Sequence, residues 1–336
     1  MTTSPSQPDP THALSSATLD ALRRRAELLE AIRGYFRGQG YWEVETPLLG
    51  RESVVDAHLD PFVTQDSDGS RYYLQTSPEF GMKRLLAAGA EAIFQITRAF
   101  RRGERGTLHN PEFTMLEWYR VGDSHIEQMA FTEALVRHVA ERFHAPLDFG
   151  DQPFERIRYD EAFARWAGTP VLRLTGGELR ELAAGLKIRP PAGLPDEDRD
   201  GWWNLLLNAV VEPKLGTGHP VFLYDYPASQ AALAKVRPGD PPVAERFELY
   251  VRGIELCNGY HELTDAAELE SRTVIQTSIR RELGLAGLPS PDRLQAAMDL
   301  GLPACAGVAM GVDRLAMLVS GGRSLSDVMA FPIDRA

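Results

Sequence analysis

The sequence predicts an α+β fold in which helices flank an antiparallel β-sheet. Extended segments come in pairs joined by short polar turns, as at Glu91–Phe100 with Phe113–Tyr119 and at Phe247–Val251 with Ile254–Asn258. Helical periodicity falls between these pairs without the regular strand–helix alternation of a parallel sheet. The composition, 43% hydrophobic and 25% charged over 336 residues, is that of an ordinary globular protein.

In chain order, Ser-, Thr- and Pro-rich residues 1 to 18 read as a tail, and residues 19 to 336 as one domain. Leu22, Leu29, Ile32 and Phe36 give an amphipathic helix that Gly38 and Gly40 stop. Tyr41 to Pro47 alternates large and polar groups like a strand, closed by the proline. Tyr72 to Gln75 reads as a short strand. Pro78 to Ala88 reads as a helix with Phe80, Met82, Leu85 and Leu86 toward the core. Glu91–Phe100 and Phe113–Tyr119 form a long hairpin around a polar hinge, Arg101 to Asn110, and helix returns over Ile126–Phe143. The stretch from 146 to 240 is least legible, with helical patches at 159–166, 177–184 and 202–211, a Pro-rich charged loop at 190–200 and a strand at 222–226. Helices at 268–283 and 292–300 precede a Gly-punctuated strand, Gly307–Gly311, and a last helix from Val312.

Composition also excludes several functions. No run approaches the roughly 20 apolar residues of a membrane span, and the N-terminus lacks the basic start and apolar core of a secretory signal. With 36 basic against 47 acidic residues the net charge is −11, unsuited to nonspecific polyanion binding. Cys257 and Cys305 are too few for a disulfide framework or a Cys-rich zinc site, so a reducing cytoplasm fits. Cys257 has no neighbouring His or Lys to mark a nucleophile. His12, His58, His125, His138, His144 and His219 are scattered and read as surface or core residues.

Four segments carry possible chemistry. The hinge sets Arg101, Arg102 and Arg105 in a Gly-punctuated loop with His109, Asn110 and Phe113. Arginine forks there can hold a polyphosphate and Phe113 can stack on a base, though the composition alone equally fits a solvated hairpin tip. Glu248, Glu255 and Glu262 recur at intervals of seven among Asn258, Tyr260 and His261. Oxygen ligands of this kind suit Mg²⁺. Because Glu248 and Glu255 are an odd number apart, one strand face holds both only if a turn or bulge resets the phase. In Gly307–Leu315 small residues admit a ligand against the backbone, and Arg314 projects from a helix start. In Gln75–Glu79, Ser77 and Glu79 are explained equally well by helix capping.

Together these segments resemble class II aminoacyl-tRNA synthetases of the lysyl branch. Tyr41–Leu49 looks like the first family motif, with Pro47 at the dimer interface, Phe100–Tyr119 like the second and Gly307–Leu315 like the third. Ile254–Asp265 is similar to the lysyl-type stretch between them, and the match runs over residues 20 to 334. The first motif starts near residue 41, which leaves no room for the anticodon-reading OB-fold of lysyl-tRNA synthetases. A free-standing core of this kind resembles the elongation factor P–lysine ligase family (EpmA, PoxA or GenX), as does the string Glu117-Trp118-Tyr119-Arg120.

The resemblance implies a cytoplasmic, homodimeric, ATP- and Mg²⁺-dependent ligase. Such an enzyme activates (R)-β-lysine as an acyl-adenylate, releases pyrophosphate, and transfers the β-lysyl group to a lysine side chain of elongation factor P rather than to tRNA. By similarity Arg101 holds the α-phosphate, Arg314 the far side of the nucleotide, and both are catalytic. Glu104, His109, Asn110, Phe113, Glu255, Leu256 and Gly311 frame ATP, while Glu248 and Glu255 carry the metal. Ser77, Pro78 and Glu79 meet the amino end of the substrate. Tyr119 and Glu262 take the other ammonium, helped by Asn258 and Tyr260, on a floor that includes Ala309. The chain departs from the lysyl pattern in three places. The hinge reads Arg-Arg-Gly-Glu, which leaves open whether Gly103 or Glu104 takes the equivalent place; Tyr260 replaces Phe; and Ala309 replaces Gly. The Ala309 methyl group is expected to disfavour α-lysine relative to β-lysine.

Overall fold

A computed structural model describes residues 13–57, 59–147 and 149–336. Helix α1 (Leu19–Gly38) is capped by the Thr18 hydroxyl and buries Leu28, Ile32 and Phe36. Leu28, rather than the expected Leu29, is the fully buried residue at that turn. Of the strand expected over 41–47 only β1 (Trp42–Glu43) forms, parallel to Ile93 and Phe94. Tyr41 packs into the core instead, edge-on to Phe36, and Thr46 turns its hydroxyl to Gln95.

A small three-stranded sheet follows: β2 (Leu49–Gly50), β3 (Val63–Gln65) and β4 (Arg71–Leu74), in the order β2-β4-β3. After it come α2 (Glu79–Ala87), the hairpin β5 (Ala92–Phe100) and β6 (Glu112–Val121), and α3 (His125–Arg142), whose start is a capping box of Ser124 and Glu127. The middle of the chain holds β7 (Glu155–Arg158), α4 (Tyr159–Trp166), α5 (Gly176–Gly185) and α6 (Arg199–Leu206). A π-helical turn, Leu207–Val211, continues α6. This segment has its own core around Tyr159, Phe163, Trp202 and Trp203. The last part runs β8 (Val221–Pro227), β9 (Val236–Arg237), β10 (Val243–Val251), β11 (Ile254–His261), α7 (Ala266–Glu282), α8 (Asp292–Gly301), β12 (Cys305–Gly311) and α9 (Val312–Ser320).

Among the described residues the large sheet has nine strands in the order β1-β5-β6-β12-β11-β10-β8-β7, with β9 beside β10. It is antiparallel except at its two ends, where β1 joins β5 and β7 joins β8 in parallel. One face carries Leu116, Trp118, Phe247, Val308 and Met310 into the main core under α1, α3 and α9. The other face is left for a cleft.

Two details set that face. The β10–β11 hairpin turns on Arg252 (φ 54°) and Gly253 (φ 75°), the left-handed pair of a two-residue hairpin turn. In β11 the register then slips. Leu249 pairs with Cys257 but Tyr250 with Glu255, leaving Leu256 as the extra residue of a bulge. The turn is the phase reset the odd Glu248–Glu255 spacing requires, because it sets Glu255 opposite Tyr250 on the face of Glu248, and the bulge then returns Asn258, Tyr260 and Glu262 to that face.

Residues 1–12 of the expected tail lie outside the described residues. Ser16 and Ala17 donate backbone hydrogen bonds to the carbonyls of Ala330 and Met329.

Candidate active site

The central strands β6, β12, β11 and β10 floor a cleft of about 1060 Å³. On β6, alternation sends Phe113, Met115, Glu117 and Tyr119 into it while Leu116 and Trp118 enter the core. Gly307, Ala309 and Gly311 of β12 lie opposite Tyr119, Glu117 and Met115. Asn258 and Tyr260 of β11 lie opposite Ala309 and Gly307. Every residue to which the resemblance gives a site role lines this cleft except Pro78, whereas Arg102 and Arg105 turn away to Asp60 and Asp334, and His261 pairs with Glu245 outside it. Pro78 starts α2, its carbonyl accepting from Met82, and is buried.

One end of the cleft is cationic. Arg101 lies over the Phe113 ring, 5.1 Å from its centroid, and reaches Glu104 at 3.6 Å. Glu104 lines the cleft, whereas Gly103 takes the turn at φ 87°. Arg314 donates to the Glu255 carbonyl (2.7 Å) and carboxylate (3.3 Å) and to the Leu108 carbonyl (3.3 Å), and lies 2.9 Å from His109 Nε2. Burial and the Arg314 charge lower the His109 pKa, which keeps the ring neutral. Asn110 braces the hinge: it donates to the Glu112 carbonyl (2.6 Å) and accepts from the Ile333 amide (2.9 Å). Behind Arg314, buried Asp313 accepts from the Thr114 amide (2.7 Å) and pairs with Arg25 (2.6 Å).

Beside this end, Glu248 accepts from the hydroxyls of Tyr226 (2.6 Å) and Tyr250 (2.7 Å) and pairs with half-buried Arg246 (2.5 Å). Glu255 has a raised pKa, because of burial first and then the Glu248 charge. Glu212 enters the same wall, pushed up to about 7 by burial and by Glu248. Carboxylates crowded on one wall in this way favour a cation between them.

The opposite end is anionic and closed. Lys83 is buried and holds Glu79 at 2.6 Å and Glu262 at 2.5 Å. Glu117 accepts from Ser77 (2.9 Å) and Tyr119 (2.5 Å). Three carboxylates thus face a single ammonium. Burial, then the Glu79 charge, pushes Glu117 up to about 7. Burial likewise raises Glu262, to about 8, although Lys83 opposes the rise. The pocket is short of positive charge and suited to a ligand that brings ammonium groups.

The sequence reading missed Lys83, Glu117, Arg246 and Glu212. Glu79 and Lys83, four apart on a helix, look like an ordinary surface pair. Glu117 did carry a signal, because it shares the strand face of Phe113 and Tyr119. Cys257 is inert, its thiol raised well above the usual range by burial.

The family model of class II tRNA synthetases (D, K and N) matches residues 12–335. A curated protein from Vibrio cholerae named elongation factor P–(R)-β-lysine ligase is 46% identical over 328 residues, 96% of this chain and 98% of that one. Proteins of the same name from Vibrio vulnificus (45% over 322 residues, 94% of this chain and 97% of the relative) and Klebsiella pneumoniae (44% over 326 residues, 96% and 97%) match similarly.

Proposed function

Since the chain belongs to the class II (D, K and N) tRNA synthetase family, we propose that it is an ATP-dependent ligase that activates (R)-β-lysine and joins it to a lysine side chain of elongation factor P. The observation that carries this reading is the cleft's division of charge: guanidinium groups at one end and a carboxylate-rich buried pocket at the other. A diamino acid places its carboxylate toward the nucleotide and its ammonium groups among Glu79, Glu117 and Glu262. In the reaction a substrate carboxylate oxygen attacks the α-phosphorus of ATP and pyrophosphate leaves. The acceptor's amine nitrogen then attacks the acyl carbon and AMP leaves. Neither step needs a side-chain nucleophile, so positioning and electrostatics supply the catalysis. In this assignment Arg101 and Arg314 hold the phosphate oxygens. Phe113, with the backbone near Leu256 and Gly311, holds the adenosine. Glu104, His109 and Asn110 fix the hinge over it.

Glu248 and Glu255 fit Mg²⁺: both are hard oxygen donors, and their mutual repulsion is relieved by a cation. Bound Mg²⁺ would neutralise charge on the phosphates of ATP. Ser77 orients Glu117 and Glu79. Asn258 and Tyr260 complete the pocket, and the Ala309 methyl group narrows its floor between Glu117 and Asn258.

The remaining parts of the proposal are a single catalytic unit over residues 19–336, a homodimer, a cytoplasmic setting and no tRNA acceptor. Full-length matches to relatives named for a protein acceptor support the last. Among the described residues no helix is long and apolar enough to cross a membrane.

ATP–pyrophosphate exchange tests the reading. Exchange is expected to be strongest with (R)-β-lysine, weaker with α-lysine and absent without amino acid, and Ala309→Gly should narrow the gap between isomers. No exchange with either lysine in folded protein would refute it.

Gly307 supplies a second check. A Cβ there would lie 2.2 Å from Tyr119 Cε1 and 2.7 Å from Glu262 Oε1. Gly307→Ala is expected to raise the KM for β-lysine about 10- to 100-fold, the cost of overpacking, while ATP affinity in a direct titration stays within about twofold. An unchanged KM would mean that the amine does not sit on Gly307.

A further inference from the structure

On the sheet face away from the cleft, His125, Glu245 and His261 each present a ligand atom, all within 4.8 Å of one another. The strands explain the placement. Glu245 precedes Arg246, and His261 lies between Tyr260 and Glu262. Those neighbours point into the cleft, so Glu245 and His261 point behind it.

His125 opens α3 at only 3% exposure, and neither of its ring nitrogens has a hydrogen-bond partner. Asp225, equally buried, brings an unpartnered Oδ1 to 3.8 Å from His125 Nε2. Buried polar atoms are costly unless something meets them.

The surroundings are arranged for one occupant. Arg237 donates to Asp225 Oδ2 (2.6 Å) and Glu245 Oε1 (3.2 Å), holding the outer oxygen of each carboxylate. The inner oxygens are left to the imidazoles, with Glu245 Oε2 at 2.5 Å from His261 Nδ1. Ligand carboxylates oriented by an outer partner are typical of metal sites.

We infer that His125, His261, Glu245 and Asp225 form a structural zinc site that ties the start of α3 to β8, β10 and β11 behind the substrate pocket. Two imidazole nitrogens and two carboxylate oxygens make a closed tetrahedral donor set for Zn²⁺. Mg²⁺ prefers oxygen and water and would favour Glu248 and Glu255 instead.

The test uses the full-length chain, stripped with chelator, loaded with Zn²⁺ alone, passed through gel filtration and assayed for metal. About one zinc per chain should be retained, with a raised melting midpoint. Retention should fall about tenfold or more in His125→Gln and persist in Glu248→Gln, which alters the cleft. Equal retention in His125→Gln, or none in the wild-type chain, overturns the inference. If His125→Gln does not fold, Co²⁺ in the wild-type chain decides. Intense visible bands of tetrahedral cobalt support the site, and the weak spectrum of octahedral cobalt overturns it.

Discussion

Arg314→Ala is expected to lower ATP–pyrophosphate exchange by about 10³-fold, the loss typical when a preorganised charged donor is removed from a reacting centre. Arg314 rises from the first turn of α9 and is held by the carbonyls of Leu108 and Glu255, one from the hinge and one from β11. Asp313 beside it is anchored to Thr114 and Arg25. The guanidinium is therefore in place before ATP arrives, and under the proposed assignment it would act on the phosphate oxygens, most strongly in the transition state of adenylation. The KM for β-lysine should change little. Arg314→Lys should recover only a small part of the rate, because a single ammonium cannot make the planar forked contacts. The measurement is single-turnover adenylate formation at saturating ATP. A loss smaller than tenfold would remove Arg314 from the chemistry.

Glu262→Gln should have the second large effect, about 10³-fold in affinity for the diamine, because breaking a buried ion pair costs about 3–5 kcal/mol. A proton count accompanies it. In the free pocket Glu117 and Glu262 have pKa values raised to about 7 and about 8, so at pH 7 to 8 they are partly protonated. An incoming ammonium favours the ionised forms. Binding therefore releases protons, and affinity rises as pH increases through that window. Calorimetry in buffers of different ionisation enthalpy reads the release directly. It should be clear in the wild-type chain and smaller in Glu262→Gln. Uptake of protons, or affinity falling from pH 7 to 8, would contradict the assignment. The same shifts act on stability with the opposite sign. A carboxyl whose folded pKa lies above its unfolded value contributes most at low pH, and that contribution shrinks as pH rises from about 4.5 toward 8.

Local chemistry made most of the fold legible. The β5–β6 hairpin, the β10–β11 turn at Arg252-Gly253 and the glycine-punctuated β12 are written in short-range pattern, and each forms where its residues place it. Tyr41 to Pro47 shows the limit of that pattern. Its alternation is real, but Tyr41 is drawn into the aromatic core beside Phe36, leaving two residues to pair with β5. At the site, residues that look out of place were readable: arginines at a glycine turn, glutamates in a strand. Those that look ordinary were not. Lys83 is a charge whose burial is decided by strands distant in the chain, and no local spacing distinguishes it, or half-buried Arg246, from solvated side chains. His125 was passed over for the same reason, since its neighbours in space come from β8, β10 and β11.

The extra residue at Leu256 bears on how the gene can change. Ahead of it Glu255 shares a face with Glu248; beyond it Asn258, Tyr260 and Glu262 share that face only because one residue is passed over. Deleting one codon between 258 and 262 would turn part of the amine pocket into the core, whereas losing the passed-over residue alone would leave a regular strand with the same faces. Length variation should therefore be purged from this strand beyond the bulge even where substitutions are accepted. The exposed turn at 190–197, which carries no register, should be free to gain or lose residues.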